Sequence, residues 1–463
     1  MRERRPSTSL GGRLSGRLRR VAVVVASVAL AASAGVGGAT ATTKPAGNDG
    51  PPRVLTSPGG TLSDVRSGQA RPAAVAVPQA THTGSGWTTH PLMASVQGWK
   101  SGTTPQLTRT TPTGYTPARL RASLHLTGTG KGQTVAVVNA FDNPYAAQDL
   151  TTYSKQFGLP VPCTKQVKSG CFTFTVAKPY GVAGADPGWA LESSLDVQTV
   201  HALAPEANIV LVEARDNAFT SMFQALDYAA GLGAGVISNS WGADGEFDGE
   251  TGADRHCALA SALCVFSAGD NGNPGGYPSY NPYVLSVGGT TLGLTQDGEV
   301  DFEVAWCCST GATGGGVSAY EPRPAYQDGV NPDEHRGIPD VSFNADPYTG
   351  VPVYDTAGVN GQNGWFQLGG TSAGAPAWAG IVAAADQLRA KAKRPPLAGA
   401  NFQAQKLIYS MPHTAFRDIT RGAGNLIQCT GDVRTCRAKS GYDTVTGWGS
   451  PGSGIDVALA AAR

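Results

Sequence analysis

The sequence predicts an α/β domain whose mainly parallel central sheet lies between layers of helices. Apolar runs of strand length alternate with helical stretches, and these runs are apolar throughout rather than at every second residue. Strands covered by helices on both faces have this pattern, which is typical of parallel sheets. The chain has 463 residues, of which 41% are hydrophobic, and this is enough to form one large core.

Residues 1–41 are predicted to be a secretory signal peptide. Arginines up to Arg20 precede an apolar run over 21–36, and the small-x-small sequence at 39–41 provides a cleavage site. An uncleaved membrane anchor is the alternative, but the run is shorter than the ~20 apolar residues that a spanning helix needs. The protein is therefore expected to be secreted, extracellular and free of the membrane once the signal is removed.

Residues 42–111 are rich in Pro, Thr, Ser, Gly and Ala and show no sustained hydrophobic period. This composition predicts a leader, short propeptide or linker of low order, followed by a folded domain over 112–463. The whole chain carries 35 Lys+Arg against 34 Asp+Glu, which gives no electrostatic argument for nucleic acid or an anionic membrane as a partner. Nothing in the sequence requires more than a monomer.

The strand and helix predictions fall in order along the first half of this domain. Strands are predicted over 134–141, 207–214, 235–241 and 263–270, with one helix after Asn143 and another over Ser221–Ala230. In sheets of this kind ligands bind at the carboxyl ends of the strands. Trp241 and Asp270 are expected there.

Eight cysteines follow the signal peptide, and their even number suits disulfides in an oxidising compartment. Closeness in sequence predicts three pairs, which are Cys163–Cys171, Cys257–Cys264 and Cys429–Cys436. Cys307 and Cys308 can bridge each other or pair elsewhere, because sequence does not determine connectivity. No pair has a zinc-ligand spacing with a histidine nearby, which argues against a metal role for the cysteines.

Ser372 stands among small residues in GGTSAGAPAWAG and is the candidate nucleophile. The pentapeptide GTSAG matches the G-x-S-x-G elbow of α/β-hydrolases, although a tight turn between sheet and helix explains it equally well. An elbow hydrolase needs a histidine after the serine, where the chain offers only His413. A subtilisin-type histidine is typically followed by glycine, and none of the seven histidines is. Ser-His chemistry therefore lacks its usual base.

Two carboxyl groups offer an alternative base. Glu192 and Asp196 lie four residues apart in GWALESSLDVQTVHALAP, so they share one face of a predicted helix. No Lys or Arg follows them before Pro205, and apolar neighbours such as Trp189 and Leu195 predict burial. Burial would raise both pKa values and let the pair share a proton, which suits general-base work at low pH.

A third acid, Asp270, ends an apolar strand in FSAGDNG, where a turn-forming role is the ordinary alternative. Together these motifs resemble, in the expected order, the sedolisin family of serine-carboxyl peptidases. ALESSLD is similar to the family's Glu-x-x-x-Asp helix, FSAGDNG to its oxyanion loop and GGTSAGAPAWAG to its nucleophile segment. The resemblance extends from about Tyr115 to the C-terminus and implies a subtilisin-like three-layer fold.

Carried over to this chain, the resemblance makes Ser372 the nucleophile, Glu192 the general base and Asp196 the residue that orients it. Asp270, kept protonated, would donate a hydrogen bond to the oxyanion. An acid pH optimum follows, because an ionised Asp270 would repel that oxyanion. The family usually has a large folded prodomain, so the short polar leader implies either that none is needed or that the leader does a reduced version of its work.

The resemblance also implies roles for residues at the ends of two predicted strands. SNSWGA is similar to the family's substrate-flanking strand, which makes Ser240, Trp241 and Gly242 the expected substrate contacts. Asn139 stands where subtilisins have their triad aspartate, and Asp142 lies beyond the strand end. Neither of these two adds a catalytic candidate.

The tail segments FRDITRGAGN and AKSGYDTVTGWGSP resemble the family's calcium loop. This implies one structural Ca²⁺, held by the side chains of Asp418 and Asp443 and by the carbonyls of Ile419, Lys439 and Gly441. Such an all-oxygen set suits Ca²⁺ rather than zinc. Lys439 stands where the family commonly has glycine, and a plain turn-rich loop is the alternative.

The sequence thus predicts a secreted peptidase that cleaves proteins or peptides in acid through an acyl-enzyme on Ser372. Two alternatives stay open. A secreted pseudopeptidase or binding protein would share the fold, but the four intact candidate residues argue against it. An esterase using the GTSAG elbow would depend on His413 and be indifferent to Glu192. The choice between endopeptidase and tripeptidyl-peptidase action also stays open.

Overall fold

The computed structural model describes residues 89–91, 94–95, 111–163, 171–307, 311–359, 361–422 and 436–463. The predicted signal peptide, most of the predicted leader, Cys308 and Cys429 lie outside these residues. All described residues belong to one compact unit, 51–463. None of the described helices combines the length and the apolar character needed to cross a membrane.

The strands are named β1 to β17 in chain order. They are β1 (His90–Pro91), β2 (Ala94–Ser95), β3 (Thr134–Ala140), β4 (Phe174–Ala177), β5 (Asn208–Ala214), β6 (Val236–Asn239), β7 (Trp241–Gly242), β8 (Leu263–Ser267), β9 (Val284–Leu294), β10 (Val300–Ala305), β11 (Gly316–Pro322), β12 (His335–Ile338), β13 (Val341–Asn344), β14 (Val351–Val359), β15 (Gln362–Gly369), β16 (Phe416–Arg417) and β17 (Ser450–Pro451).

The α-helices are named α1 to α7. They are α1 (Pro117–Ser123), α2 (Ala146–Phe157), α3 (Pro187–Leu203), α4 (Phe219–Gly231), α5 (Thr371–Lys391), α6 (Gln403–Ser410) and α7 (Ile455–Ala461). Short 3₁₀ helices cover Glu250–Cys257, Ala325–Gln327, Pro347–Thr349, Ala400–Phe402 and His413–Ala415.

The central sheet has the strand order β10-β9-β8-β6-β3-β5-β4, with β13 also beside β9. Every pair in this sheet is parallel except β9 with β10. The four strands predicted from apolar runs are present as β3, β5, β6 and β8, because each is buried on both faces. The prediction of a mainly parallel sheet is confirmed.

Helices cover both faces of this sheet. On one face α3 packs against α5, and α5 contacts β6, β8 and β9. On the other face α4 packs against β3 and β5, within a second apolar cluster that includes Met222 and Leu226. Helix, sheet and helix thus form the predicted three-layer, subtilisin-like α/β fold, and the carboxyl ends of β3, β6 and β8 meet at one edge.

The cysteines follow the predicted pairing only in part. Cys163 and Cys171 form a disulfide, as predicted. The predicted Cys257–Cys264 bond is wrong, because both are free thiols. They are fully buried neighbours in the apolar cluster around α4, so closeness in sequence did not indicate a bond. Cys307 and Cys436 each take part in a disulfide. The predictions for Cys308 and for the Cys429–Cys436 pair involve residues outside those described.

Candidate active site

Helix α3 carries two of the predicted catalytic acids into the protein interior. Asp186 caps the helix by accepting a hydrogen bond from Trp189 N at 3.0 Å, and Pro187 occupies the first helical position, where its missing N–H costs nothing. Glu192 and Asp196 both have no exposed surface. They lie on the helix face that points towards the carboxyl ends of β3 and β6, as the spacing predicts.

Asp196 is held by two side-chain donors. Ser240 Oγ donates to its Oδ1 at 2.8 Å, and Asn139 Nδ2 donates to its Oδ2 at 3.1 Å. Burial raises the pKa of Asp196 to about 7, and these hydrogen bonds oppose the rise by favouring the ionised form. Sequence reasoning gave Asn139 no role, yet its position at the end of β3 places its amide against this carboxyl.

Ser372 is the second residue of helix α5, which begins directly after a sharp turn. Gly370 adopts φ +90°, a conformation that favours glycine, and the helix starts at the next residue. Pro376 has no N–H to donate to the Ser372 carbonyl four residues earlier, and the Ser240 hydroxyl lies 3.3 Å from that carbonyl instead. Because Ser240 has a single proton, its bond to Asp196 at 2.8 Å is the stronger of the two.

The Ser372 hydroxyl lies beside the Glu192 carboxyl. Both groups are fully buried, and within the described residues neither has a hydrogen-bond partner within 3.5 Å. Burial and the nearby Asp196 carboxyl raise the pKa of Glu192 well above its ordinary value, while Ser372 opposes that rise. The serine therefore faces a carboxyl pair whose like charges favour sharing one proton.

Asp270 is fixed next to the nucleophile by Thr371. Its Oδ1 accepts hydrogen bonds from Thr371 N at 2.8 Å and from Thr371 Oγ1 at 2.7 Å, so a proton on this carboxyl belongs on Oδ2. Thr371 Oγ1 also accepts from Gly269 N at 3.1 Å, which ties the loop after β8 to the start of α5. The structure thus places all four predicted catalytic residues in one site.

A cavity of about 180 Å³ opens beside Asp270. Most of its lining is backbone and small side chains, and Asp244 and Asn271 supply the polar groups, joined by a 2.7 Å hydrogen bond. Strand β7 leads into this lining. The Trp241 side chain is fully buried and donates to Val138 O at 3.0 Å, so only its backbone is available to a substrate. The Ser240 side chain likewise points inward to Asp196.

The two predicted calcium segments lie together. Asp418 Oδ2 accepts hydrogen bonds from Gly441 N at 2.9 Å and from Ser440 Oγ at 3.2 Å. Asp443 is buried and accepts from Lys439 N at 2.8 Å and from the backbone after it. Among the described residues no three His, Cys, Asp or Glu side chains form a metal-ligand group, so a cation here would need backbone carbonyls as well.

His413, the base that an esterase would need, does not lie beside Ser372. It is exposed in a 3₁₀ turn, and its ring packs on Trp448 with centroids 4.3 Å apart. No contact joins it to Ser372 among the described residues, whereas Glu192 and Asp270 both adjoin the nucleophile or its neighbour.

Comparison with known proteins agrees with this geometry. The model of the Subtilase family matches residues 182–449. Kumamolisin from Bacillus sp. (strain MN-32) is 30% identical over 73% of this chain and 62% of its own length. Sedolisin from Pseudomonas sp. (strain 101) is 28% identical over 71% of this chain and 57% of its own length. The chain thus spans about three fifths of the length of these two relatives.

A solved structure with the same fold is Pseudomonas sedolisin, a serine-carboxyl proteinase in complex with two molecules of pseudo-iodotyrostatin. It is 26% identical to this chain, with a TM-score of 0.58, and the match covers 74% of this chain and 96% of that one. The two chains therefore share the fold.

Proposed function

Because the chain belongs to the subtilase family, we propose that it is a serine-carboxyl peptidase that hydrolyses peptide bonds of proteins or peptides in acid. The relatives also confirm its resemblance to sedolisins. The observation that carries the proposal is that the buried Ser372 hydroxyl lies beside the buried Glu192 carboxyl, and that neither group has a hydrogen-bond partner among the described residues.

In this mechanism Ser372 Oγ attacks the substrate carbonyl while Glu192 takes its proton. The pair Glu192–Asp196 holds one proton in mild acid, so it has one negative charge and room for one more proton. Asn139 and Ser240 keep Asp196 in place beside Glu192. When Glu192 takes the proton of Ser372, the proton that the pair already shares lies on Asp196, so each carboxyl then holds one proton. Glu192 then donates its proton to the leaving amine, and water releases the acyl group from Ser372.

The negative charge that develops on the substrate carbonyl oxygen must be stabilised by a hydrogen-bond donor. The proposal assigns this role to protonated Asp270, whose orientation is fixed by Thr371, and to backbone N–H groups at the start of α5. A donor of this kind contributes about 10²–10³ in kcat in enzymes where it has been removed. An ionised Asp270 could not donate, so activity is expected to fall as the pH rises.

Two other functions have less support. The esterase requires His413, which is exposed and packs on Trp448. A pseudopeptidase requires no reacting groups, yet the four candidate residues lie together although they come from three separate segments, which are α3, α5 and the loop after β8. A surplus buried carboxyl pair would also cost stability, since burial disfavours its charge.

The test is covalent labelling of Ser372 with a fluorophosphonate at pH 4, together with hydrolysis of a denatured protein. Wild type is expected to bind one label and to cleave, and Ser372→Ala is expected to do neither. His413→Ala is the matched control and should keep both activities. Folded wild-type protein that takes no label and cleaves nothing between pH 2.5 and 8 would favour the pseudopeptidase, and loss of activity in His413→Ala would favour the esterase.

We further propose one structural Ca²⁺ at the tail. The donors suit it, because carboxylates and carbonyls are hard oxygen ligands, and Asp418 already contacts the loop that contains Asp443. The residues that would hold the ion are Asp418, Ile419, Lys439, Gly441 and Asp443. The ion would neutralise the two carboxylates and lock the tail against the domain.

Chelation is expected to lower the melting temperature of the Ser372→Ala protein by about 5 °C, because an ion that binds only the folded protein stabilises it and its removal takes that stabilisation away. Calcium should restore the value. Differential scanning calorimetry with EDTA, with and without added Ca²⁺, measures this. Asp418→Asn should no longer respond to EDTA, while Asp297→Asn, an exposed aspartate, should respond like wild type. An unchanged melting temperature in EDTA would refute the ion.

Secretion is part of the same proposal. It is supported by the signal-like sequence at 1–41 and by the Cys163–Cys171 disulfide, which suits an oxidising compartment. The substrates proposed are proteins or peptides, and the protein is proposed to act as a monomer away from nucleic acids and membranes.

A further inference from the structure

A small cavity lies beside the proposed oxyanion donor, and few side chains contribute to its walls. It measures about 180 Å³ and is lined by the loops after β7 and β8. Half of its lining residues are glycines, namely Gly245, Gly269, Gly272, Gly275 and Gly276. Because these residues have no side chain, the space between the two loops is open to a side chain from another molecule.

The two loops are bonded to each other, so the cavity exists before a substrate binds. Ala243 N donates to Tyr277 O at 2.9 Å, and Tyr277 N donates to Gly245 O at 3.0 Å. A Cβ atom on Gly276 would lie 1.8 Å from Ala243 O, so the two backbones are in direct contact there. A preformed site needs no ordering when a substrate binds, and this favours selective binding.

The cavity adjoins the place where the substrate carbonyl lies in the proposed mechanism. Asp270, the proposed donor to the oxyanion, is itself one of the lining residues. The side chain of the residue that carries the attacked carbonyl begins close to the carbonyl carbon, so it lies next to Asp270. Glu192 protonates the leaving amine from α3, and none of the described lining residues belongs to that helix. The cavity therefore receives the side chain of the residue directly before the cut.

The charged group of this cavity is a carboxylate. Among the described residues that line it, Asp244 and Asp270 have the ionisable side chains, and none is basic. Asp270 is protonated in the proposed mechanism, so Asp244 is the charged one. Asp244 is exposed, and its Oδ1 accepts a hydrogen bond from Asn271 Nδ2 at 2.7 Å. The amide is a neutral donor, so it orients the carboxylate without cancelling its charge.

The volume restricts the side chain that fits. A cavity of ~150 Å³ is known to hold a benzene molecule, so the cavity of about 180 Å³ accommodates a side chain of roughly six or seven non-hydrogen atoms. Lysine and arginine are of this size, and both have a positive charge at the end of an apolar stem. Phenylalanine is also of this size, but its ring has no charge to pair with the carboxylate.

Building on the proposed peptidase function, we propose that Asp244 selects arginine or lysine directly before the cut, through an ion pair with the end of that side chain in the cavity. Asn271 holds the carboxylate in place for this pair. Because Asp244 is exposed to water, the ion pair produces a preference rather than an absolute requirement. A charge-assisted hydrogen bond is stronger than a neutral one, and a preference of about tenfold is expected.

The first experiment compares two internally quenched peptides that differ only in the residue before the cut, which is arginine in one and citrulline in the other. Citrulline has the length and shape of arginine without its charge. Wild type at pH 4.5 is expected to cut the arginine peptide with about tenfold higher kcat/KM, and mass spectrometry should place the cut directly after the arginine.

Three results would overturn this inference while the proposed function stands. They are equal kcat/KM for the two peptides, a cut before the arginine, and cleavage of denatured protein by an enzyme that cuts neither peptide. If the folded enzyme cuts neither the peptides nor denatured protein, the proposed function itself fails.

The second experiment tests the carboxylate. Asp244→Asn is expected to lower the ratio of the two kcat/KM values, arginine over citrulline, to about one, while kcat/KM for the citrulline peptide stays within about twofold of wild type. Asp248→Asn replaces an exposed aspartate of the same loop that does not line the cavity, so this matched control should keep the wild-type ratio. The same ratio in both variants would show that Asp244 does not select the substrate.

The salt dependence of wild type tests the ion pair without a substitution. Raising NaCl from ~0.1 to ~1 M shortens the screening length from ~10 to ~3 Å and should lower the ratio of arginine to citrulline cleavage by half or more, because the pair is exposed to water. A ratio that does not change with salt would contradict an ion pair at this position.

Discussion

Replacing Glu192 with Gln is expected to lower kcat/KM for a denatured protein at pH 4 by about 10⁴-fold or more, the size of loss that removal of an essential triad member causes. The amide has the shape of the carboxyl but cannot take the proton of Ser372. No other base adjoins that hydroxyl among the described residues. Stability should hold or rise, because the amide removes a like charge from a buried pair. Steady-state kinetics and thermal melts measure both effects.

Asp149→Asn is the matched control for this substitution. Asp149 is also a fully buried carboxyl whose pKa is raised by burial, to about 6, but it lies on α2 and accepts hydrogen bonds from Thr356, outside the site. Its replacement should leave kcat/KM within about threefold of wild type. A Glu192→Gln enzyme as active as the Asp149→Asn control would contradict the role of Glu192 as base.

The second large effect concerns stability: the free energy of unfolding is expected to be highest in mild acid and to fall steadily towards pH 8. Burial raises the pKa of Glu250 to about 9, and burial together with Asp254 raises that of Glu321 to about 8. Burial raises the pKa of Asp386 to about 7. In the unfolded chain these carboxyls return to their ordinary values near ~4.

The sign follows from proton binding. Between pH ~4.5 and 7 the folded protein holds protons on these carboxyls that the unfolded chain has lost, so raising the pH favours unfolding. Each carboxyl lowers the free energy of unfolding by at most ~1.4 kcal/mol per pH unit. It does so only between its ordinary pKa and its raised pKa in the folded protein. Denaturant midpoints of Ser372→Ala between pH 4 and 8 measure the fall without interference from self-digestion.

Two substitutions test which carboxyls cause this fall. Glu250→Gln combined with Glu321→Gln should flatten the decline above pH 5, because an amide does not titrate. Glu299→Gln replaces an exposed glutamate and should leave the fall in the free energy of unfolding the same as in the Ser372→Ala parent protein. A free energy of unfolding that rises from pH 4.5 to 8 in the parent protein would show that these buried carboxyls do not behave as described.

The sequence was sufficient to predict an element where its residue pattern has a single physical cause. Runs that are apolar on both sides predicted β3, β5, β6 and β8, since only strands between two helical layers need such runs. The four-residue spacing of Glu192 and Asp196 predicted their shared helix face. That they meet Ser372 and Asp270 depends on how three separate segments pack together, namely α3, α5 and the loop after β8, and the sequence could imply this meeting only through a family resemblance.

The sequence was insufficient where contacts join distant positions. Strands β1 and β2 have two residues each and no hydrophobic pattern, and they exist through backbone pairing with residues about 150 and 270 positions away. Asn139 cannot be a triad acid, so its position in the sequence predicts no catalytic role, while its actual contact is with Asp196, 57 positions later. The free thiols of Cys257 and Cys264 show a different limit, because two cysteines that are close in sequence and in contact need not be bonded.

The carboxyl-pair mechanism is tested most directly by the pH dependence of kcat/KM for a denatured protein substrate from pH 2.5 to 8, measured on wild type and Glu192→Gln. Wild-type cleavage is expected to be confined to acid and lost before neutral pH, and Glu192→Gln is expected to show no measurable cleavage at any pH. Wild-type activity that persists undiminished at pH 8, or a Glu192→Gln enzyme that follows the wild-type profile, would contradict a carboxyl pair as the base for Ser372.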